Sequence, residues 1–182
     1  MSKHEPTLAP KLRRQLCLAL LCTSLPGLAA AQVTTAAAAD TPPTLKVILA
    51  DGSSRSFTLA ELQALPPESA NAQRRDGSSF VVRGVSVTSL LKLAGLDLSL
   101  RMGVQTVVGS ALVARAADGF RSVYGLALAD PHFGPSTLMV TWSREDGSPL
   151  PPNAGPLQLI QTTESRTARC VRQLVALEVK AL

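Results

Sequence analysis

The residues that could carry out chemistry are few in this 182-residue chain. It contains three cysteines and two histidines, of which Cys17, Cys22 and His4 lie in or just before an apolar N-terminal run. The rest of the chain therefore has one thiol, Cys170, and one imidazole, His132. A single thiol forms no intramolecular disulfide and builds no zinc or iron–sulfur site by itself. We interpret Cys170 as a small buried apolar residue.

His132 has no evident catalytic partner. No G-x-S-x-G nucleophile motif accompanies it, and the adjacent Pro131 and Phe133 indicate a loop. The sequence has neither a P-loop nor a G-x-G-x-x-G pattern, and it has no paired His or Cys set for a metal. Carboxylates are plentiful, but four aspartates directly precede glycine, as turn residues do: Asp51, Asp76, Asp118 and Asp146. The sequence therefore assigns no catalytic residue and no metal ligand.

The N-terminus has the features of a secretory signal peptide. Basic residues between positions 3 and 14 precede an apolar run at 16–25, and Ala29-Ala30-Ala31 fits a cleavage site. The run is about half the ~20 residues that a membrane span requires. We predict a signal peptide over 1–31, a periplasmic or secreted product, and no stable membrane span after cleavage. Arg13-Arg14 also fits a twin-arginine signal, so the export route stays open.

The composition excludes one large class of function. Residues 1–31 hold four basic residues and one acidic residue, so their removal lowers the net charge from +5 to +2. Aromatic residues make up 3% of the chain, whereas single-stranded nucleic acid is bound on aromatic side chains interleaved with basic ones. We therefore expect no nucleic-acid partner. An apolar content of 46% with 17% charged residues predicts a folded globular protein.

The mature chain is predicted to be one domain behind a short leader. Residues 32–43 are rich in Ala and Thr and end in Pro42-Pro43, which predicts a flexible segment. The domain then covers 44–182, which is long enough to bury a core without disulfides.

The clearest predicted element of this domain is a helix over 86–96. Leu90, Leu91 and Ala94 recur at helical spacing, and Gly95 fits the left-handed position that ends a helix. Thr58 and Glu61 match a capping box at the start of a shorter helix.

Short apolar runs separated by Gly and Pro turns predict about eight or nine strands in the rest of the domain. Two of them are placed at 104–108 and 111–116, and the last one near 170–179. With the helices early and most strands late, the predicted fold class is α+β, mainly β, with two or three short helices.

Four segments together resemble a known family. They are 57–66 with the first helix, 80–96 with the second, the turn 116–120, and the Pro- and Gly-rich stretch 146–159 before a terminal strand. In this order and spacing they resemble the oxidoreductase molybdopterin-binding domain, the sulfite-oxidase-type fold, over about 45–180. The resemblance implies loops that hold a molybdenum-bearing pterin dithiolene, the molybdopterin cofactor. It also implies two-electron oxygen-atom transfer on sulfite or sulfoxides.

The resemblance also implies cofactor-contacting residues. Asp118, Gly119 and Phe120 match the family's D-G-[YF] turn, and Gly155 and Pro156 end the Pro-rich loop. The arginines before the last strand could converge on the cofactor's phosphate, because guanidinium groups bind such anions well. The structural alternatives are a hairpin turn, a rigid chain reversal and a solvated basic face. The cofactor-binding set predicted in this way is Asp118, Gly119, Phe120, Gly155, Pro156, Arg166 and Arg169.

The sequence departs from the family pattern at the metal. The family's ligand cysteine lies between the first helix and the segment that contains Gly84, and here that interval, 67–77, contains no cysteine. Cys170 falls on the predicted last strand, in another part of the topology. Two principal hypotheses follow. One is an exported molybdopterin-dependent oxidoreductase of sulfite-oxidase type, served by a redox partner protein. The other is a cofactor-free periplasmic module of the same fold that binds a small anion or a partner protein.

A third hypothesis is a subunit or a chaperone-like partner of a larger redox enzyme. The first two hypotheses concern an exported protein and differ in whether it carries the cofactor.

Overall fold

The structure, a computed structural model, describes residues 43–74, 76–98, 103–164 and 167–182. The predicted signal peptide, the predicted leader up to residue 42, and Arg166 lie outside the described residues. The helices are α1 (Leu59–Ala64), α2 (Val87–Leu93) and α3 (Val104–Val108), with short 3-10 helices at Leu126–Ala129 and Thr167–Arg169. The strands are β1 (Thr44–Ile48), β2 (Ser54–Thr58), β3 (Glu68–Gln73), β4 (Ser79–Ser86), β5 (Ser110–Ala116), β6 (Arg121–Gly125), β7 (Leu138–Thr141), β8 (Gln158–Gln161) and β9 (Leu174–Ala181).

The larger sheet has five strands in the order β2-β1-β9-β5-β6. Strand β9 lies at its centre, parallel to β1, with Val47 beside Leu177, and antiparallel to β5. The pairs β1–β2 and β5–β6 are antiparallel neighbours along the chain. One strand from the end of the domain thus joins two sequence-local pairs into a single sheet.

The smaller sheet has four antiparallel strands in the order β3-β4-β7-β8. Leu138 and Val140 of β7 belong to the main hydrophobic core, which also takes in residues of the larger sheet. Met139, between them, points to the opposite face, because successive strand residues alternate sides. There it pairs in register with Ile160 of β8. This second side, which we call the outer face, carries its own small apolar cluster of Ala72, Val82, Met139 and Ile160, with Ala70, Phe80 and Cys170 packed against it.

The predicted second helix is confirmed as α2. The hydroxyl of Ser86 accepts a hydrogen bond from the Ser89 backbone and caps its start. Leu90 and Leu91 are fully buried, while Lys92 stays exposed and pairs with Asp97 at 3.0 Å. Gly95 has a φ of +109°, the left-handed conformation expected just after a helix.

The capping box predicted for the first helix is also present. Thr58 accepts from the Glu61 backbone through its hydroxyl, and the Glu61 carboxylate accepts from the Thr58 backbone. This reciprocal pair satisfies two backbone donors at the start of α1.

The structure differs from the predicted elements at three places. The predicted strand at 104–108 is helix α3, in which Val107 is buried while Val104 and Val108 are exposed. Five residues are too few for a period of two to be told from one of 3.6. The predicted last strand near 170–179 begins later, at Leu174, so Cys170 lies in the connection before it. The interval 67–77, for which no strand was predicted, contains β3.

The described part of the chain is an α+β, mainly β, arrangement with three short α-helices, as the sequence predicts. Among these residues no helix is both long and apolar enough to cross a bilayer.

Candidate functional site

The Asp118 turn joins β5 to β6. The Asp118 carboxylate accepts a hydrogen bond from the Phe120 backbone at 2.9 Å, and Gly119 has a φ of +88°. A glycine is favoured there because a side chain would be strained in this conformation. Phe120 leaves 45% of its surface exposed. The turn geometry is therefore that of a stable hairpin with an aromatic side chain presented to solvent.

Gly155 and Pro156 lie in the connection between β7 and β8. They line an open groove of about 550 Å³, which we call the proline groove. Its other lining residues are Leu59, Gln63, Trp142, Ser143, Gly147, Pro149, Leu150 and Pro152. A Cβ at Gly155 would lie 3.0 Å from the Cβ of Leu150, so a larger residue would push into the groove wall.

Gln173 connects these two predicted bends. Its carbonyl oxygen accepts from the Ala117 backbone at 2.9 Å, and its own backbone N–H donates to Ala154 at 2.9 Å. Its side-chain amide donates to Pro152 at 3.0 Å. The structure therefore brings the Asp118 turn and the Gly155 loop to the same point before β9. The turn residues are nevertheless not among those that line the proline groove.

Arg169 is engaged by neighbours on three sides. It donates to Glu164 at 2.7 Å and to the carbonyl oxygen of Val123 at 2.8 Å, and its guanidinium lies over the Tyr124 ring. These contacts fix the side chain against the edge strand β6. To bind a phosphate, Arg169 would have to give up its ion pair with the Glu164 carboxylate.

A second cavity, of about 140 Å³, opens on the outer face of the smaller sheet. We call it the outer-face cavity. Strands β3, β4 and β8 supply most of its walls, and Cys170 completes them. The described lining residues are Ala72, Gln73, Phe80, Val81, Val82, Thr141, Ser143, Leu150, Gln158, Ile160, Gln161, Glu164 and Cys170.

The outer-face cavity brings together two parts of the chain that are nearly 100 residues apart in the sequence. Ala72 and Gln73 belong to the 67–77 interval, where the family resemblance implies a cysteine. Cys170 reaches the same cavity from the connection before β9. The single thiol of the domain thus lies beside the interval that lacks one.

The Cys170 thiol is held in its neutral form. Burial raises its pKa above the ordinary value of 9.0, although a hydrogen bond from the Gln161 backbone opposes part of the shift, and the nearby Glu164 carboxylate adds to the increase. A thiol with a raised pKa is a weak nucleophile at neutral pH. It therefore serves here as an apolar wall rather than as a reactive group.

Gln161, one of the lining residues, also has an unsatisfied side-chain atom. Gln161 is 8% exposed, and its amide oxygen is buried with no hydrogen-bond partner among the residues that the structure describes. Its amide nitrogen lies 3.5 Å from the Thr163 hydroxyl. A buried carbonyl oxygen without a donor costs free energy, and it lies out of reach of the cavity because almost none of its surface is accessible.

The lining residues do not fit the molybdopterin cofactor. A pterin that carries a phosphate needs cationic side chains or clustered backbone donors. The described linings of the two cavities contain no Lys or Arg, and Glu164 adds a carboxylate to one of them. Nor does the described part of the chain hold a group of three or more His, Cys, Asp or Glu residues that could bind a metal ion by themselves. The chemistry of the lining favours a neutral ligand.

No protein-family model matches this chain, and no curated protein matches it. Among solved structures it is similar to the sulfane dehydrogenase SoxCD from Paracoccus pantotrophus, with a TM-score of 0.57 and 15% sequence identity. The similarity covers 77% of this chain and 38% of that chain, so the protein spans well under half the length of this neighbour. The α+β, mainly β, fold of the sulfite-oxidase type is confirmed. At this level of identity the likeness concerns the fold alone.

Sequence reasoning missed most of the outer-face cavity. Its walls come from strands that pair across the chain, and the pairing of β4 with β7 could not be inferred from spacing. One signal was available: Ala70 and Ala72, like Phe80 and Val82, alternate with other residues along their strands, which is the pattern of a strand with one apolar side.

Proposed function

We propose that this protein is an exported binding module of the sulfite-oxidase-type fold, which takes a small molecule in its outer-face cavity and works without molybdopterin. The observation that carries the proposal is the lining of that cavity. Its described walls are largely apolar and lack a cation, where a pterin phosphate would require one. Small-molecule sites are commonly concave and apolar, with a few polar groups that orient the ligand.

The nature of the polar groups supports a neutral ligand over the small anion that the sequence suggested. Arg169 is committed to Glu164 and to the Val123 carbonyl oxygen. The Glu164 carboxylate itself lines the cavity and would repel an anion there. The side chains that remain for a ligand are amides and hydroxyls.

The second candidate is a molybdopterin-dependent oxidoreductase. Two observations favour it: the fold is similar to that of a sulfane dehydrogenase, and Cys170 faces the cavity that β3 lines. In this candidate Cys170 would replace the cysteine that the 67–77 interval lacks.

Elemental analysis separates the two candidates. The full-length gene is expressed in a host that makes the cofactor, and the exported protein is purified. Molybdenum is measured by mass spectrometry and pterin by fluorescence after oxidation. We expect neither to reach a stoichiometric amount. Stoichiometric molybdenum and pterin in the wild-type protein, lost in the Cys170→Ser variant, would establish the oxidoreductase instead. The Cys170→Ala variant, which also lacks the thiol but adds no hydroxyl, is the matched control.

A further inference from the structure

We propose that the exposed side of the larger sheet is a docking surface for an acidic surface of another protein. We call this side the open face, and it runs across strands β1, β9, β5 and β6. It shares no residue with the outer-face cavity or the proline groove, so the inference goes beyond the proposed function. Four features support it, which are the exposure of the face, its charge, a pair of opposed arginines and its width.

The alternation of residues along the strands separates the open face from the core. On β5, Ala114 belongs to the main core, so Val113 and Arg115 on either side of it face the other way. On β6, Tyr124 belongs to the core, and Val123 points away from it with 57% of its surface exposed. The described part of the chain therefore leaves much of this side of the sheet open to solvent.

The strands of the open face carry more positive than negative charge. One carboxylate, that of Glu178, pairs with both Arg115 at 2.7 Å and Lys180 at 3.2 Å. Lys46 and Arg121 are also exposed on this face, and neither has an ion pair or a side-chain hydrogen bond within the described residues. The described part of the chain thus leaves two cations of this face for a carboxylate from outside.

Arg121 lies directly opposite another arginine. The register of β5 and β6 pairs it with Arg115, and like charges directly opposite one another destabilise a sheet. Glu178 compensates Arg115 but makes no contact with Arg121. Folding gains nothing from a cation at this exposed position of an edge strand. A residue that breaks a local rule without a structural benefit is typical of a functional surface.

The width of the charged row indicates a protein rather than a small anion. Lys46 pairs with Ala176, Ala176 with Arg115, and Arg115 with Arg121, so the four residues form one row across the sheet. Three strand spacings separate Lys46 from Arg121, which is about 14 Å. A single phosphate or sulfate does not reach both ends. The exposed Val123 adds an apolar contact beside this row, as a protein surface would use. Complementary charge on such a partner would set the orientation and the rate of association.

A short, fluorescently labelled poly-L-glutamate serves as the acidic probe, and poly-L-lysine of the same length is its control. The full-length gene is expressed and the exported protein is purified. Fluorescence anisotropy gives the dissociation constant, and the ¹H–¹⁵N spectrum locates the bound probe. We expect poly-L-glutamate to bind, to shift the amide signals of Val113, Val123 and Ala176, and to bind more weakly as salt is added, because salt screens exposed charges. Poly-L-lysine should not bind.

The variant Arg121→Gln removes one cation of the row. We expect it to weaken the binding of poly-L-glutamate about twofold to fivefold, which is the usual contribution of one exposed ion pair. Arg144→Gln makes the same change of charge at an exposed arginine in the connection between β7 and β8, and it should leave the affinity nearly unchanged. In urea, Arg121→Gln should be at least as stable as the wild type, because it removes a pair of like charges.

Vesicles that contain phosphatidylglycerol test the other large anionic partner, a membrane. The inference is overturned if poly-L-glutamate does not bind, if the shifted signals lie outside the open face, or if Arg144→Gln weakens binding as much as Arg121→Gln does. It is also overturned if the vesicles bind at this face and poly-L-glutamate does not. A loss of stability in Arg121→Gln would make Arg121 a structural residue and would count against the inference in the same way.

Discussion

Arg169 and Tyr124 bind each other in two ways. The guanidinium carbon of Arg169 lies 4.5 Å from the centroid of the Tyr124 ring, and the Tyr124 hydroxyl donates to the carbonyl oxygen of Arg169. Tyr124 thus fixes both the side chain and the backbone of Arg169. This pair holds the connection before β9 against the edge strand β6, next to the cavity that Cys170 lines.

Replacement of Arg169 by alanine should destabilise the fold. The change removes the cation–π contact, the ion pair with the partly buried Glu164 and the hydrogen bond to Val123. Together these are worth about 1–2 kcal/mol of unfolding free energy. Urea unfolding monitored by circular dichroism measures the difference. Arg172→Ala, which changes an exposed arginine nearby, should stay within about 0.5 kcal/mol of the wild type. Equal stability of the two variants would show that the contacts of Arg169 contribute nothing.

Gly84 should not tolerate even an alanine. A Cβ at this position would overlap the carbonyl oxygen of Val140, and the backbone there is held by the pairing of Val85 with Val140. We expect Gly84→Ala to lower the unfolding free energy by about 1–3 kcal/mol or more. At Gly125 an added Cβ would meet no heavy atom within 4 Å, and the φ of −65° suits any residue. Gly125→Ala should therefore leave the stability unchanged or slightly raised. A Gly84→Ala protein as stable as Gly125→Ala would contradict the close approach of β4 and β7.

The raised pKa of Cys170 predicts a loss of stability in alkaline solution. Burial favours the neutral thiol in the folded protein, so the full stabilisation by the buried thiol is present below the ordinary pKa of 9.0. It is lost as the pH rises through the higher pKa of the folded state. From about pH 8 to about pH 10.5 the wild type should therefore lose stability relative to Cys170→Ala. Burial also raises the pKa of Tyr124, and the charge of a Cys170 thiolate adds to that increase, so the difference between the two proteins reports Cys170 together with its effect on Tyr124. Urea unfolding at each pH measures this difference, and a constant value over the range would rule out the shift.

Ser78 should control the acidity of Asp76. Its hydroxyl and its backbone N–H donate to the same carboxylate oxygen at 2.6 Å and 2.9 Å, and these bonds hold the pKa of Asp76 below 3.8. The stabilisation is present above that value and is lost as the pH falls through the lower pKa of the folded state. Ser78→Ala should raise the pKa of Asp76 in a carboxyl ¹³C titration. Asp51, which binds Ser53 with the same geometry, is the internal control and should not move. An unchanged Asp76 would mean that the hydroxyl is not its main partner.

The elements that the sequence predicts well are those set by neighbouring residues. The capping box of Thr58 and Glu61, the buried pair Leu90 and Leu91, and the left-handed Gly95 each lie within a short stretch of chain, and each follows from local geometry. The Asp118 turn is local in the same way. The fold class follows from such pieces, because their order along the chain limits how they can pack.

The candidate site depends instead on distant residues. Ile160 comes to line the same cavity as Ala72 and Phe80 only after β4 has paired with β7 and β7 with β8, and no periodicity in the sequence predicts that order. Arg169 looks like a free cation in the sequence because Tyr124, whose ring it covers, lies 45 residues earlier, on β6. The roles predicted for Asp118, Gly119, Phe120, Gly155 and Pro156 toward a cofactor stay predictions.

The central position of β9 constrains the order of assembly. The β1–β2 and β5–β6 hairpins can each form before the C-terminal residues are available. The two hairpins cannot join in one sheet until strand β9, residues 174–181, pairs with both β1 and β5. Sheets whose strands are distant in sequence fold slowly, because the entropy of closing a long loop is lost before the strands make stabilising contacts. A polypeptide threaded through a membrane from its N-terminus would therefore emerge with its larger sheet divided in two. The last strand would complete the sheet in a single closing step.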